Sequence, residues 1–244
     1  MSLAVVGHLS RDVIAGGEPR IGGPPWHATR ALRALGVDAR VLAKCGERDA
    51  VDFSRMLETT GLPFELAVGA ETTSFSFSYD EDGRRTMKVD ALGDPWHADE
   101  LHLDGVEWLL VASVLRGEIE VADVAAAGRH ILLDGHGLVR VPEVGPLRLD
   151  DDFDRSQLHH VSMLKLADEE AAVVGETRVD EVIVTHGPRG ATVNGVHVAA
   201  DVVERDPTGA GDMFGAAYLV FRSRGDAPID AARRSAALVS ELLR

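Results

Sequence analysis

The most informative part of this chain is Asp206-Pro207-Thr208-Gly209-Ala210-Gly211-Asp212-Met213-Phe214-Gly215. A polar turn precedes three small residues and one carboxylate, and apolar residues at helical spacing follow. This pattern predicts a loop that leads into a helix N-terminus, where unpaired N–H groups and the positive end of the helix dipole attract anions. Gly209, Ala210 and Gly211 lack bulk, so a phosphate could approach those N–H groups closely. Beside a phosphate, Asp212 becomes a candidate base for activating an incoming hydroxyl.

Short apolar runs alternate with helix-patterned stretches along most of the rest of the chain. The pattern predicts core strands at residues 3–7, 40–43, 107–112, 131–134, 163–166 and 182–185. It predicts helices at residues 26–35, 51–59, 119–127, 168–174, 210–222 and 229–243. Near-continuous apolar strands separated by helices indicate an α/β fold, a mainly parallel sheet sandwiched by helices. In such sheets, ligands bind beyond the carboxyl ends of the strands.

One segment departs from this rhythm. Residues 73–79 alternate strictly, with Phe75, Phe77 and Tyr79 on one face and serines on the other. Residues 80–83 are typical of a turn, and residues 86–89 can return as a partner strand. A hairpin that is apolar on one face needs something to cover. It is either a lid over a ligand site or a surface hairpin packed on its own core.

Composition limits the class of protein. The chain of 244 residues fits one main domain, and its formal net charge of −15 argues against a nucleic-acid or anionic-membrane surface. Its first residues resemble a strand and not a signal peptide, and no segment approaches the roughly 18 apolar residues of a membrane span. Cys45 is the only cysteine, so no internal disulfide can form, and a cytoplasmic location is expected.

Several common nucleotide and metal motifs are missing. The lysines are Lys44, Lys88 and Lys165, and none lies in the G-x-x-x-x-G-K-[ST] pattern, which excludes a P-loop enzyme. No G-x-G-x-x-G follows a predicted strand, which removes the main argument for a dinucleotide enzyme. The ten histidines show no H-E-x-x-H or comparable ligand spacing.

The string D-P-T-G-A-G-D resembles the C-terminal signature of the PfkB family of sugar and nucleoside kinases, also called the ribokinase family. The resemblance implies that Gly209, Ala210 and Gly211 form the anion hole and that Asp212 is the catalytic base. It also implies ATP as co-substrate, Mg²⁺ as cofactor and a single ribokinase-like domain over residues 1–244. The small β lid of the family would be an insertion at about residues 11–22 and 70–92.

The resemblance extends to the acceptor side. Gly22-Gly23-Pro24-Pro25-Trp26-His27 leads into a helix closed by Leu-Gly, as in the family's N-terminal signature. It implies that Asp12 binds two acceptor hydroxyls and that Gly22, Gly23 and His27 help to hold the acceptor under Phe75. His27 stands where the family commonly has Asn, and its donor and acceptor pattern differs.

On the donor side, the segment from Thr185 to Gly190 matches a family loop, T-x-G-x-x-G, that holds a nucleotide. The resemblance thus implies nucleotide contacts at Thr185, Gly187, Gly190 and Thr208. Lys165-Leu166-Ala167-Asp168-Glu169-Glu170 is similar to the family's K-x-N-x-x-E element, so Glu170 would act on the metal indirectly through water. Ala167 replaces the usual Asn, and Asp168 or Glu169 could compensate.

These observations predict an ATP-dependent phosphotransferase acting on a hydroxyl of a small sugar or polyol. A nucleoside kinase of the same family is an alternative, because Trp26 and Phe75 could sandwich a base. A non-catalytic, kinase-like binding or scaffold protein is a second alternative, suggested by His27 and Ala167. The apolar stripe on the hairpin also predicts a homodimer through residues near 72–90.

Overall fold

The computed structural model describes residues 2–79, 85–126, 128–201 and 208–244, and it leaves the side chains of Tyr79 and Arg85 undescribed. The predicted turn at residues 80–83 and the first two residues of the signature string, Asp206 and Pro207, lie outside the described residues. The Tyr79 side chain of the apolar stripe does so too. Thr208 and all later residues of the signature string are described.

The described part of the chain contains fourteen strands and seven α-helices. The strands are β1 (Leu3–His8), β2 (Ser10–Ile14), β3 (Arg20–Gly22), β4 (Ala39–Gly46), β5 (Phe64–Gly69), β6 (Ser74–Tyr79), β7 (Arg85–Ala91), β8 (Trp108–Ala112), β9 (His130–Asp134), β10 (Gly145–Pro146), β11 (Met163–Ala167), β12 (Glu181–Thr185), β13 (Ala191–Val193) and β14 (Val196–Val198). The helices are α1 (Pro24–Ala34), α2 (Glu47–Glu58), α3 (Val121–Val124), α4 (His136–Val139), α5 (Asp168–Val174), α6 (Ala210–Ser223) and α7 (Pro228–Leu242). None of the described helices is long and apolar enough to cross a membrane.

The main sheet has the order β14-β13-β12-β11-β9-β8-β1-β4-β5, with parallel pairing from β12 through to β5. Side chains alternate along β1, so that Val5 packs in the core of α1, α6 and α7, and Val6 packs in the core on the opposite face. Both faces of the sheet are therefore covered, which confirms the predicted α/β fold.

A second sheet has the order β10-β7-β6-β2-β3. Strands β6 and β7 pair antiparallel, with Phe77 opposite Met87, as the predicted hairpin requires. Phe75 and Phe77 are 3% and 6% exposed and pack in a cluster with Val89 and Val114. Both segments of the predicted lid insertion supply strands to this sheet, and β10 joins it from a distant part of the chain.

Glu118 holds the two sheets together. One carboxylate oxygen accepts the N–H groups of Val114 and Leu115 at 2.7 and 3.0 Å, and the other accepts the Thr73 hydroxyl at 2.8 Å. Thr73 immediately precedes β6, whereas Val114 follows β8 of the main sheet. A buried carboxylate that accepts three hydrogen bonds is well satisfied and fixes the position of the groups around it.

The prediction of a helix over residues 119–127 is wrong in extent, because only Val121–Val124 is helical among residues 119–126, the described part of this range. The chain turns extended at Ala125, and Gly128 has a positive φ of 78°. The Arg129 guanidinium donates to the carbonyl of Val124 as well as to those of Leu103 and Val106. This side chain replaces the next helical turn as the partner of the Val124 carbonyl.

Candidate active site

A cleft of about 610 Å³ lies between the carboxyl ends of the main strands and the second sheet. It is lined by the N-terminus of α6, the ends of β11 and β12, and the inner face of the second sheet. The lining residues are Ser10, Asp12, Gly23, Pro24, His27, Phe75, Phe77, Met87, Val114, His136, Arg140, Lys165, Ala167, Asp168, Glu169, Thr185, His186, Gly187, Thr208, Gly209, Ala210, Gly211 and Asp212. Most of the predicted site residues therefore line one cleft.

The anion hole predicted from the signature string is a helix N-terminus in the structure. Helix α6 begins at Ala210, and Gly209 before it has a φ of 78°. A Cβ at Gly209 would lie 2.3 Å from the His27 ring, so only glycine allows both this backbone conformation and this close approach. His27 thus packs against the entrance of the anion hole as well as lining the acceptor side.

Asp212 lies in the first turn of α6 and is half-buried. Its Oδ1 is buried and accepts no hydrogen bond from any described residue. Burial and the nearby Asp134 carboxylate raise the pKa of Asp212 to about 7, although Lys165 and Arg140 oppose this. A carboxylate with a pKa near neutrality is suited to accepting a proton in a reaction at neutral pH.

Beneath Asp212 lies a buried ion pair that joins two neighbouring strands. The Lys165 ammonium, on β11, donates to Oδ2 of Asp134 at a distance of 2.5 Å. Asp134 is the last residue of β9, and the two residues are 2% and 1% exposed. Burial by itself lowers the pKa of the Lys165 ammonium, but the surrounding carboxylates, Asp134 first, outweigh it and raise the pKa. Burial raises the pKa of Asp134, but the charges of His136 and Lys165 outweigh it and hold that pKa below its usual value. Both members of the pair are therefore ionised.

Glu170, the predicted indirect metal residue, is not part of the cleft wall. It is 1% exposed, and its Oε2 accepts the Ala167 N–H at 2.9 Å. Its Oε1 lies 3.3 Å from His136 Nε2 and 3.6 Å from Arg140 Nε. Burial and the Asp134 carboxylate raise the pKa of Glu170, against the pull of Arg140 and Lys165. The structure places Glu170 behind two cationic side chains that line the cleft.

One further group could hold a cation. Asp134, His136 and Asp212 each offer a ligand atom within 4.8 Å of the others. The Lys165 ammonium, however, already neutralises Asp134 within this group. We therefore assign no metal to these three residues. Asp168 and Glu169 are further carboxylates that line the cleft.

The acceptor half of the cleft combines one carboxylate with apolar walls. Asp12 is 4% exposed, and its Oδ1 accepts the Ser10 hydroxyl at 2.7 Å. Gly22 does not line the cleft, but a Cβ there would lie 2.1 Å from Oδ2 of Asp12, so its lack of a side chain leaves room for the carboxylate. Gly23, with a φ of 91°, turns the chain into α1. Phe75 covers this half of the cleft, together with other apolar side chains of the second sheet.

The part of the cleft that the sequence assigns to the donor is lined mainly by polar or small residues. Thr185, Gly187 and Thr208 line it, as predicted for nucleotide contacts. Gly190 does not, because its backbone packs on β14, where a Cβ would lie 2.1 Å from the Val198 carbonyl oxygen. The His186 ring lies 2.5 Å from Asp168, whose other oxygen accepts from Arg189 at 2.7 Å.

The sequence did not assign a role to several residues of this cleft. Lys165 entered only as one letter of a motif, and Asp134, His136 and Arg140 received no role. One signal was present, since a lysine within the apolar segment Met163-Leu164-Lys165-Leu166 must find a buried carboxylate. The cross-strand position of that carboxylate depends on strand order, which local patterning does not show.

Comparisons with known proteins agree with this architecture. The sequence model of the pfkB family carbohydrate kinases matches residues 157–243, which include the anion hole and Asp212. None of the curated proteins matches the sequence of this chain.

Solved structures extend the likeness to the whole chain. A sulfate complex of a pyrophosphate-dependent kinase in the ribokinase family has a TM-score of 0.83 and 24% identity, covering 99% of this chain and 95% of its own. A Burkholderia thailandensis nucleoside kinase in complex with inosine has a TM-score of 0.73 and 19% identity, covering 97% and 89%. A putative ribokinase II from E. coli, in complex with ATP and Mg²⁺, has a TM-score of 0.72 and 18% identity, covering 100% and 94%.

The chain is thus an α/β protein with the ribokinase fold. The resemblance to the PfkB family of carbohydrate kinases is confirmed, because the family match covers the signature on which it was based.

Proposed function

We propose that this protein is a phosphotransferase that moves a phosphoryl group from ATP to a hydroxyl of a small sugar or polyol. The observation that carries the proposal is the position of Asp212. Its buried Oδ1 has no hydrogen-bond donor among the described residues, and it lies in the first turn of a helix whose N–H groups open into a 610 Å³ cleft. An acceptor hydroxyl supplies the missing donor.

In the proposed reaction, Asp12 anchors neighbouring hydroxyls of the acceptor while Asp212 takes the proton of the reacting hydroxyl. The hydroxyl oxygen forms a bond to the terminal phosphorus, and the bond from that phosphorus to the bridging oxygen breaks, releasing ADP. The N–H groups of Gly209, Ala210 and Gly211 receive the charge that develops on the phosphoryl group. The apolar side chains above Asp12 exclude water, which would otherwise compete as acceptor.

Mg²⁺ fits this proposal as a cofactor, since carboxylates and phosphate oxygens are the ligands that it prefers. When bound, it neutralises charge on the donor phosphates. Asp168 is already paired with His186 and Arg189, so Glu169 is the lining carboxylate that would hold Mg²⁺. Glu170 orients His136 and Arg140 from behind. The E. coli neighbour that was crystallised with ATP and Mg²⁺ supports Mg²⁺ as the cofactor.

Pyrophosphate is a second candidate donor, and one observation favours it. The described residues of the donor half, from Ala167 to Glu169 and from Thr185 to Gly187 with Thr208, include no aliphatic side chain larger than alanine to sandwich a purine. The similar kinase with a TM-score of 0.83 is pyrophosphate-dependent. In this case, the leaving group is inorganic phosphate, and the roles of Asp212 and Asp12 are unchanged.

The test is a phosphoryl-transfer screen that pairs each donor, ATP or pyrophosphate, with a panel of sugars, polyols and nucleosides. Product is followed by phosphorus NMR for the wild type, Asp212→Asn and Asp230→Asn. Asp230 is the control because it also lies in the first turn of a helix, α7, away from the cleft. We expect a sugar or polyol product that Asp212→Asn forms about two to four orders of magnitude more slowly and Asp230→Asn forms at the wild-type rate.

Other outcomes of the screen decide between the alternatives. Turnover of nucleosides alone would identify a nucleoside kinase, which the aromatic Phe75 and Phe77 walls can accommodate. No product with either donor would favour the non-catalytic scaffold. Activity of Asp212→Asn within threefold of the wild type would remove Asp212 from the base role.

A further inference from the structure

Lys165 has a position that sheet stability does not explain. It is 2% exposed at the centre of β11, directly across from Asp134 in the register of β9 and β11. Burying an ion pair costs desolvation energy that an apolar pair would avoid, so such a pair is weak support for stability. Lys165 nevertheless lines the cleft, although its side chain is only 3% exposed.

The Lys165 side chain lies beside two glycines of α6. A Cβ at Gly215 would lie 3.3 Å from Cδ of Lys165, and a Cβ at Gly211 would lie 3.6 Å from its Nζ. These glycines are one helical turn apart on the same face of α6. The lysine stem therefore runs along bare helix backbone, and its charged end lies beneath the Gly211 end of the anion hole.

A cation at this position offsets the negative charge of the carboxylates around it. The carboxylates of Asp134, Glu170 and Asp212 lie close to this ammonium, and Asp212 and Asp12 also line the cleft. Without compensation, these charges would repel a polyphosphate donor at short range. Arg140 and His136 also line the cleft, but they lie 3.6 and 3.3 Å from Glu170.

We propose that Lys165 is a positioning residue for the phosphoryl group, clamped by Asp134 so that its charge holds the donor anion over the N–H groups of Gly209, Ala210 and Gly211. This inference rests on the proposed phosphotransferase function. It goes beyond that function, because it assigns part of the anion affinity to a side chain outside the signature string.

The test measures pyrophosphate binding by calorimetry in EDTA, with no acceptor and no divalent ion. Removing Lys165 alone would leave Asp134 buried and unpaired, which can unfold the protein. The informative variants are therefore Asp134→Asn and the double variant Asp134→Asn/Lys165→Met. We expect Asp134→Asn to bind pyrophosphate at least as tightly as the wild type, because the cation loses its counter-ion. The double variant should bind at least tenfold more weakly.

The pair Lys44 and Glu100 supplies the matched control. Lys44 is 3% exposed and donates to Glu100 at 2.6 Å, and neither residue lines the cleft. The Lys44→Met/Glu100→Gln variant should bind pyrophosphate like the wild type. Equal pyrophosphate affinity of Asp134→Asn and Asp134→Asn/Lys165→Met would overturn the inference. If both variants bound equally and more weakly than the wild type, the pair would be purely structural. Failure of turnover with every donor would instead reject the proposed function and leave this binding result to be judged separately.

Discussion

At the scale of single residues, Asp212 carries a cost to stability. Its pKa is about 7 in the folded chain, above its ordinary value of 3.8, because burial and Asp134 disfavour its charge. The folded state therefore binds a proton more tightly than the unfolded state does, and stability falls as the pH rises from about 4 through 7. Above pH 7, Asp212 is ionised in the folded protein although burial and the Asp134 carboxylate disfavour its charge.

Asp212→Asn should accordingly make the protein more stable at pH 8 while lowering kcat by about two to four orders of magnitude. The gain has an upper limit of about 4 kcal/mol, from three pKa units, and should shrink as the pH falls toward 4. Urea unfolding of both proteins at pH 8 and pH 5 measures it. A gain that is equal at the two pH values would mean that titration of Asp212 is not its cause. The kcat/KM of the wild type should rise with pH through about 7.

Asp12 offers a second test at this scale. Asp12→Ala removes a charged acceptor of hydroxyl hydrogen bonds, each worth about 1.5–3 kcal/mol. We expect the KM of the acceptor to rise about ten- to hundredfold, with donor affinity unchanged by calorimetry. Ser10→Ala is the companion variant, since it removes only the hydroxyl that Asp12 already accepts. A fall in donor affinity at constant acceptor KM would show that the two halves of the cleft are assigned the wrong way round.

At the scale of elements, the junction between the signature loop and α6 depends on Gly209. Gly209→Ala should lose activity at least tenfold, because alanine disfavours a φ of 78° by about 1–2 kcal/mol and its Cβ meets the His27 ring. Gly225→Ala is the matched control, with a φ of 92° at the other end of α6 and no atom within 4 Å of the new Cβ. It should lose a similar 1–2 kcal/mol of stability but keep kcat. Equal kcat in the two variants would contradict the role of the junction.

The hairpin shows a second property at this scale. Phe75 and Phe77 are covered by their own chain, so a partner subunit is not needed to bury them. The homodimer was predicted because the apolar stripe needed a cover, and this reason no longer holds for Phe75 and Phe77. The homodimer stays a prediction. The opposite face of β6 carries Ser74, Ser76 and Ser78, which is a polar surface.

Phe77→Asp should thus lower the Tm of the protein without changing its mass in light scattering. Replacing a buried phenylalanine costs about 3–5 kcal/mol even when the new residue is alanine, and a buried charge adds to this. Ser78→Asp, on the exposed outer face, is the control and should change neither quantity. A change of mass in Phe77→Asp while the subunit stays folded would restore the apolar stripe as an interface.

At the scale of the whole molecule, the sequence predicts more of the main sheet than of the second sheet. The six predicted core strands are all present, because strands buried on both faces need continuous apolar runs. The edge strand Phe64–Gly69 is mostly half-buried, and the strand Gly145–Pro146 has two residues. Neither is buried on both faces, and both were missed. Their places depend on strand order, a property of the complete fold.

The site follows the same division. The local string from Thr208 to Asp212 predicts the anion hole and the candidate base, because a helix N-terminus is built from neighbours in the chain. The Asp134–Lys165 pair joins residues 31 positions apart, and no local pattern pairs them. Gly190 and Glu170 were assigned to the site through the family resemblance, but neither residue lines the cleft.

The burial of Lys165 and Lys44 also makes the protein easy to label. Of its three lysines, these two are 2% and 3% exposed, whereas the Lys88 side chain is 56% exposed on β7 of the second sheet. An amine-reactive dye on the native protein should therefore attach to the second sheet at Lys88, apart from the chain's α-amino group. Peptide mapping should find that site alone among the lysines. A dye can therefore be attached at Lys88 without any mutation, and its fluorescence would report motion of the second sheet when donor or acceptor is added.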